Sequence, residues 1–183
     1  INKNEKGRPL LNAACLIHAG KIEKIFFKSL LPTYDVFDED RYFEPTDRPQ
    51  ILTLKDKKIG VSICEDLWND RDFWQRPRYH LDPIEKLAQK KVDFIINLSS
   101  SPFTIDKQKL RESMISQSAK KYQIPVVYVN QVGGNDDLIF DGASLVFNGQ
   151  GKLLARAKTF EEDLLAIDLD SKKSFAYSKT NAI

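Results

Sequence analysis

Residues 92–98 constrain the fold most. Val92, Phe94, Ile95, Ile96 and Leu98 leave little polarity in this short run, and a strand that apolar belongs where a sheet is covered on both faces. Helical patterns stand on either side of it. Asp82-Pro83 supplies an N-cap followed by proline at the first helical position and opens a helix through about residue 90. Leu110, Met114, Ile115, Ala119 and Tyr122 recur at helical spacing between residues 106 and 123, and all five read as core-facing. Another apolar strand follows at 125–132. Strands alternating with helices in this way imply an α/β domain in which helices cover a mixed sheet.

The remaining segments extend that sheet system. Residues 11–19 and 22–28 are joined by Gly20-Lys21 and read as a hairpin. Within it, Cys15 reads as a strand filler and His18 as a surface residue with no second histidine nearby to make a metal site. A short strand spans 51–54. Gly133-Gly134-Asn135-Asp136-Asp137 is a turn cluster, and Asn148-Gly149-Gln150-Gly151 joins strands at 143–147 and 153–157. The last strand is expected at 164–169. Residues 171–183 lack periodicity and read as a linker or tail, leaving 1–170 as one domain.

Composition excludes several function classes. Lys and Arg number 28 against 26 Asp and Glu, a net charge of +2, too balanced to argue for a nucleic-acid or acidic-lipid partner. Two cysteines without paired spacing or clustered histidines support neither a disulfide framework nor a metal site, and fit a reducing, cytoplasmic setting. No apolar run approaches the roughly 18 residues of a membrane-spanning helix. Ile1 and the polar turn that follows suggest a piece of a longer chain.

The chemistry concentrates at Lys58-Ile59-Gly60-Val61-Ser62-Ile63-Cys64-Glu65-Asp66-Leu67-Trp68, where an apolar strand ends at a thiol followed by two acids. Glu65 and Asp66 suit the first turn of a helix, and a cysteine at a strand-to-helix turn has its thiolate stabilised by backbone N–H groups. Cys64 is therefore a candidate nucleophile, the alternative being a buried apolar filler. Lys28 also ends an apolar strand, as an oxyanion-holding cation or an exposed strand-end lysine. The segment 28–49 is too long for a connector and too aromatic for disorder, which makes it a packed, site-forming loop.

Four motifs in order resemble one family. They are Phe27-Lys28-Ser29-Leu30-Leu31-Pro32-Thr33-Tyr34-Asp35-Val36-Phe37-Asp38-Glu39, then Gly60-Val61-Ser62-Ile63-Cys64-Glu65-Asp66-Leu67-Trp68, then Asn97-Leu98-Ser99-Ser100-Ser101-Pro102-Phe103, then Tyr128-Val129-Asn130-Gln131-Val132-Gly133-Gly134. Over roughly residues 4–170 the chain is similar to the nitrilase-type glutaminase domain of glutamine-dependent NAD synthetases, within the carbon-nitrogen hydrolase superfamily.

The resemblance implies an αββα sandwich lacking its first strands and helices, and hydrolysis of the glutamine side-chain amide to supply ammonia for amidation of deamido-NAD. It assigns Cys64 as the nucleophile forming a γ-glutamyl thioester, Lys28 as the stabiliser of the tetrahedral intermediate, and Glu39 as the accessory glutamate. Tyr34, Ser101 and Lys107 would hold glutamine, and the backbone N–H of Glu65 would complete the oxyanion hole. No cofactor is implied for this domain. ATP and Mg would belong to a synthetase domain of the same chain, and the assembly would be a homo-oligomer.

The sequence departs from the pattern in two places. Thr104 and Asp106 stand where the family usually has histidine and glycine. The family's general-base glutamate lies in a Pro-Glu motif, and none occurs in these residues, so the 183 residues by themselves are expected to be inactive. A free-standing amidase or carbamoylase and a catalytically dead assembly module are the alternatives.

Overall fold

A computed structural model describes residue 1, residues 7–169 and residues 177–178. The chain divides into two compact units, residues 1–93 and 94–183.

In the first unit, β1 (Ala13–His18) and β2 (Lys21–Phe27) form the expected antiparallel hairpin. Its turn falls one residue earlier than the sequence suggests. Ala19 and Gly20 both take positive φ, 48° and 74°, which is the turn geometry whose twist matches the flanking strands. Cys15 is exposed, and His18 Nδ1 lies 2.9 Å from Glu23 Oε1 at the surface. β3 (Ile51–Leu54) and β4 (Lys57–Ile63) make a second hairpin. Lys24 Nζ donates to the Ile51 carbonyl at 2.6 Å, and Phe27 N to Gln50 Oε1 at 3.3 Å, tying one hairpin to the other. α1 (Pro83–Gln89) starts as its cap predicts, with Asp82 Oδ1 accepting from Ile84 N at 3.0 Å and Glu85 N at 3.1 Å. It buries Ile84 and Leu87.

The helix expected after Cys64 is a single 3-10 turn, Cys64–Leu67. Side chains just beyond it compete for the backbone, a known brake on helix growth. Asp70 Oδ1 accepts from Asp72 N at 2.8 Å and Phe73 N at 3.3 Å, and Asn69 Oδ1 accepts from Arg78 N and Tyr79 N. The chain therefore turns into a loop.

In the second unit, β5 (Phe94–Ser99) and β6 (Val126–Asn130) pair in parallel. α2 (Lys107–Tyr122) connects them, as a parallel pair needs a crossover of a dozen or more residues. The Gly133-to-Asp137 cluster is longer than a turn: β7 (Val132–Asn135) and β8 (Leu138–Asp141) form a hairpin around Asp136, whose φ is 51°. Two glycines in β7 erase the alternation that would have marked it as a strand. β9 (Leu145–Phe147) adds antiparallel to β6, and β10 (Leu153–Arg156) to β9, so the sheet is mixed and the α/β expectation holds.

α2 buries Met114, Ile115 and Ala119, but Leu110 is 39% exposed and its neighbour Arg111 is fully buried. The buried face is thus rotated by one position at the helix start. Beyond β10, the expected strand at 164–169 shortens to β11 (Leu165–Ala166), paired with β12 (Tyr177–Ser178). The linker or tail read at 171–183 otherwise lies outside the described residues. Among the described residues, no helix is long and apolar enough to cross a membrane.

Candidate active site

β4 ends at Ile63, and the next residue, Cys64, takes φ 44°. A side chain rarely adopts this left-handed region, and such departures cluster where a reactive group must be aimed. The strand buries Ile59 and Ser62 and delivers a half-buried thiol at its end.

Asp66 holds this turn to the start of the long loop. Its Oδ2 accepts from Ile63 N at 3.0 Å, and its Oδ1 accepts from Ser29 N at 3.0 Å and Leu30 N at 2.8 Å. Three backbone N–H groups from two distant segments thus converge on one buried carboxylate. Burial raises its pKa to about 6, even though those N–H groups and the Lys28 charge pull the other way. Lys28 comes immediately before the bonded pair, so the same clamp fixes its backbone.

The Lys28 side chain is 1% exposed. Its Nζ lies 2.5 Å from Glu39 Oε1, and Glu39 Oε2 accepts from Asn12 Nδ2 at 2.9 Å. Glu39 begins a 3-10 turn, Glu39–Arg41, and its N–H donates to the Pro32 carbonyl at 3.0 Å. The loop is packed at its start, where Leu30 and Leu31 are in the core, whereas its aromatics Tyr34, Phe37 and Phe43 are only half-buried and Tyr42 is exposed. An ammonium buried beside one carboxylate is a fixed charged donor of the kind that stabilises an oxyanion.

A second cluster surrounds Glu65. Tyr34 Oη donates to Glu65 Oε2 at 2.7 Å and Tyr79 Oη to Oε1 at 3.3 Å. Burial first, and then the Glu65 charge, raises both phenol pKa values, so both remain proton donors across the ordinary pH range. The Arg78 guanidinium lies over the Tyr34 ring, 3.9 Å from its centre.

Ser101 and Lys107 belong to the second unit. Ser101 is buried, its N–H donates to Asn130 Oδ1 at 2.9 Å, and its Oγ lies 3.5 Å from a nitrogen of Arg111. Arg111 forks onto Asp141 through three bonds of 3.1–3.2 Å, and Asn130 Nδ2 reaches the same carboxylate at 3.2 Å. Lys107 is the first residue of α2 and is half-buried. The structure therefore brings Lys28 together with Glu39, and Tyr34 with Glu65. Among the described residues no group of three or more His, Cys, Asp or Glu is arranged to hold a metal ion.

Several contributors are not recognisable in the sequence. Asp66 looks like a first-turn acid, whereas it serves as a backbone clamp. Asn69, Arg78 and Tyr79 lie in a stretch without periodicity. Arg111 carried a usable signal, since positions 111, 114, 115 and 118 share one helical face.

The carbon-nitrogen hydrolase family model matches residues 1–177. The chain is 52% identical over 163 residues to a glutamine-dependent NAD(+) synthetase of Synechocystis sp., a match covering 89% of this chain and 29% of the relative. The structure of a glutamine-dependent NAD+ synthetase from Acinetobacter baumannii superposes with a TM-score of 0.80 at 36% identity, covering 100% of this chain and 33% of that one. An amidase of the nitrilase superfamily from Nesterenkonia AN1 shares the fold, with a TM-score of 0.61 at 17% identity over 76% of this chain and 47% of its own. The chain thus spans about three-tenths of the length of the synthetases it matches.

Proposed function

Because the chain belongs to the carbon-nitrogen hydrolase family, we propose that it is the glutaminase part of a glutamine-dependent NAD synthetase, releasing ammonia for ATP-dependent amidation of deamido-NAD elsewhere in the protein. The observation that carries this reading is the clamp at Asp66, which joins the turn bearing Cys64 to the backbone beside a buried Lys28. The kinship to NAD synthetases supplies the substrate.

The Cys64 sulfur bonds to the side-chain amide carbon of glutamine, and the carbonyl electrons move onto oxygen. Lys28 Nζ and the backbone N–H of Glu65 stabilise that oxyanion. Collapse breaks the C–N bond, ammonia leaves with the proton taken from the thiol, and water then cleaves the thioester to give glutamate and restore Cys64. Glu39 holds Lys28 in place as the accessory carboxylate and is already engaged by Lys28 and Asn12. By the family pattern, the base that relays the proton is a glutamate in a Pro-Glu motif, which these residues do not contain. Tyr34, Glu65, Ser101 and Lys107 are the proposed glutamine-holding set. ATP and magnesium would serve the synthetase reaction, and no step here runs through either.

The test is substitution in the full-length protein. Cys64→Ala is expected to abolish glutamine-dependent NAD formation while preserving formation from free ammonia. Lys28→Met is expected to lower glutamine turnover by about a hundred- to a thousandfold, the typical loss on removing one oxyanion donor. Glutamine-dependent turnover that survives Cys64→Ala would refute the assignment.

A further inference from the structure

Asn12 touches both halves of the Lys28–Glu39 pair. It stands half-buried just before β1, at the open end of the first hairpin. The register there sets Ala13 opposite Phe27, and one step further Lys28 N donates to the Asn12 carbonyl at 2.9 Å. Residues opposite each other in an antiparallel ladder carry their side chains on the same face, about 4.5–5.5 Å apart at Cβ. Both side chains accordingly run to one carboxylate: Lys28 Nζ lies 2.5 Å from Glu39 Oε1, and Asn12 Nδ2 donates to Oε2 at 2.9 Å.

The main chain of Glu39 is held by its own turn, with its N–H on the Pro32 carbonyl and its carbonyl accepting from Tyr42 N and Phe43 N, each at 3.0 Å. Its side chain is long and rotatable. One contact with the ammonium leaves the carboxylate free to pivot about Oε1, and a second donor on Oε2 removes that freedom. The identity of this donor matters. A cation at residue 12 would compete with Lys28 for Glu39, and a carboxylate would compete with Glu39 for Lys28. A neutral amide holds the second oxygen and leaves one ammonium facing one carboxylate. Lys28 is buried, and a buried ammonium is costly to leave unpaired if its carboxylate swings away.

Building on the glutaminase reading, we infer that Asn12 is a positioning residue for Lys28: it locks the Glu39 carboxylate and, through it, the ammonium where the oxyanion forms. Its contribution is made when negative charge appears on the amide oxygen, so it falls on turnover rather than on glutamine binding.

Three substitutions in the full-length protein separate this role from packing, and each keeps the residue-12 carbonyl that Lys28 N bonds. Asn12→Leu matches the size of the amide without a donor, Asn12→Asp matches its shape with an acceptor in place of the donor, and Asn12→Gln keeps the amide on a longer arm. Glutamate release from glutamine gives kcat and KM for each, with NAD formation from free ammonia as the control. Asn12→Leu is expected to lower kcat about ten- to a hundredfold, the range for a hydrogen bond to a charged group, with KM little changed and the ammonia reaction intact. Asn12→Asp should lose more than Asn12→Leu, because two carboxylates then share one ammonium, and Asn12→Gln should recover part of the loss. In a Lys28→Met background Asn12→Leu should cost almost nothing further, since the group it positions is gone. Losses that multiply in that background, an effect on KM alone, or Asp tolerated better than Leu each overturn the inference and make Asn12 a packing residue. If Lys28→Met by itself leaves glutamine turnover intact, the glutaminase reading of the pair fails and takes the inference with it.

Discussion

Asp66 carries a proton more tightly in the folded chain than in the unfolded one, with a pKa of about 6 against an ordinary value of 3.8. Below pH 3.8 both states are protonated. As pH rises toward 6 the unfolded state loses its proton first, so stability falls across that window by about 1.4 kcal/mol per pH unit, roughly 3 kcal/mol in all. Comparing urea unfolding of the native chain and Asp66→Asn from pH 4 to 7 isolates this contribution: the native chain should lose ground to the variant as pH rises, and the difference should level off above pH 6. A difference independent of pH would show that Asp66 titrates alike in both states. At this scale Cys64 and Lys28 could be read in the sequence because each closes an apolar strand. Asp66 could not, because two of its donors lie 36 and 37 residues away.

The elements were legible in proportion to how strongly their periodicity was written. The strands of the first unit, the Asp82 cap and the β5–α2–β6 crossover are where pattern and cap chemistry put them, apart from the one-residue shift of the first hairpin's turn. The register of α2 slipped because a buried Arg111, paired with Asp141, looks polar and therefore outward. β7 escaped because Gly133 and Gly134 carry no side chain to alternate. The turn between β9 and β10 is where an element depends on glycine: a Cβ at Gly149 would lie 2.7 Å from the Gln123 carbonyl oxygen. Gly151 has φ 74°, and a Cβ there would lie 2.6 Å from the Ser116 carbonyl oxygen, on the helix whose Ser116 Oγ donates to the Gly151 carbonyl. Gly151→Ala should therefore cost more than the roughly 1 kcal/mol of an unstrained glycine change. A thermal melt of the purified variant measures it, and an unchanged midpoint would mean that the turn relaxes freely.

For the molecule as a whole, the α/β class was readable from alternating strand and helix patterns and the family from four ordered motifs, because order survives in a linear string. The grip of Asn12 on Glu39 was not, since its two ends lie 27 residues apart. On the proposed assignment of Cys64 as nucleophile, whole-chain stability and thiol chemistry pull residue 64 in opposite directions. Cysteine in the left-handed region costs roughly 1–2 kcal/mol that glycine does not incur, partly offset by the greater freedom of glycine in the unfolded chain. Cys64→Gly should therefore melt above Cys64→Ala, by about 2–4 °C for each kcal/mol retained, although both lack the thiol. On that assignment the position is one where inactivation can be stabilising: a chain released from the proposed amide hydrolysis would have a downhill path to glycine, and its gain in heat resistance would itself record the strain that had aimed the sulfur.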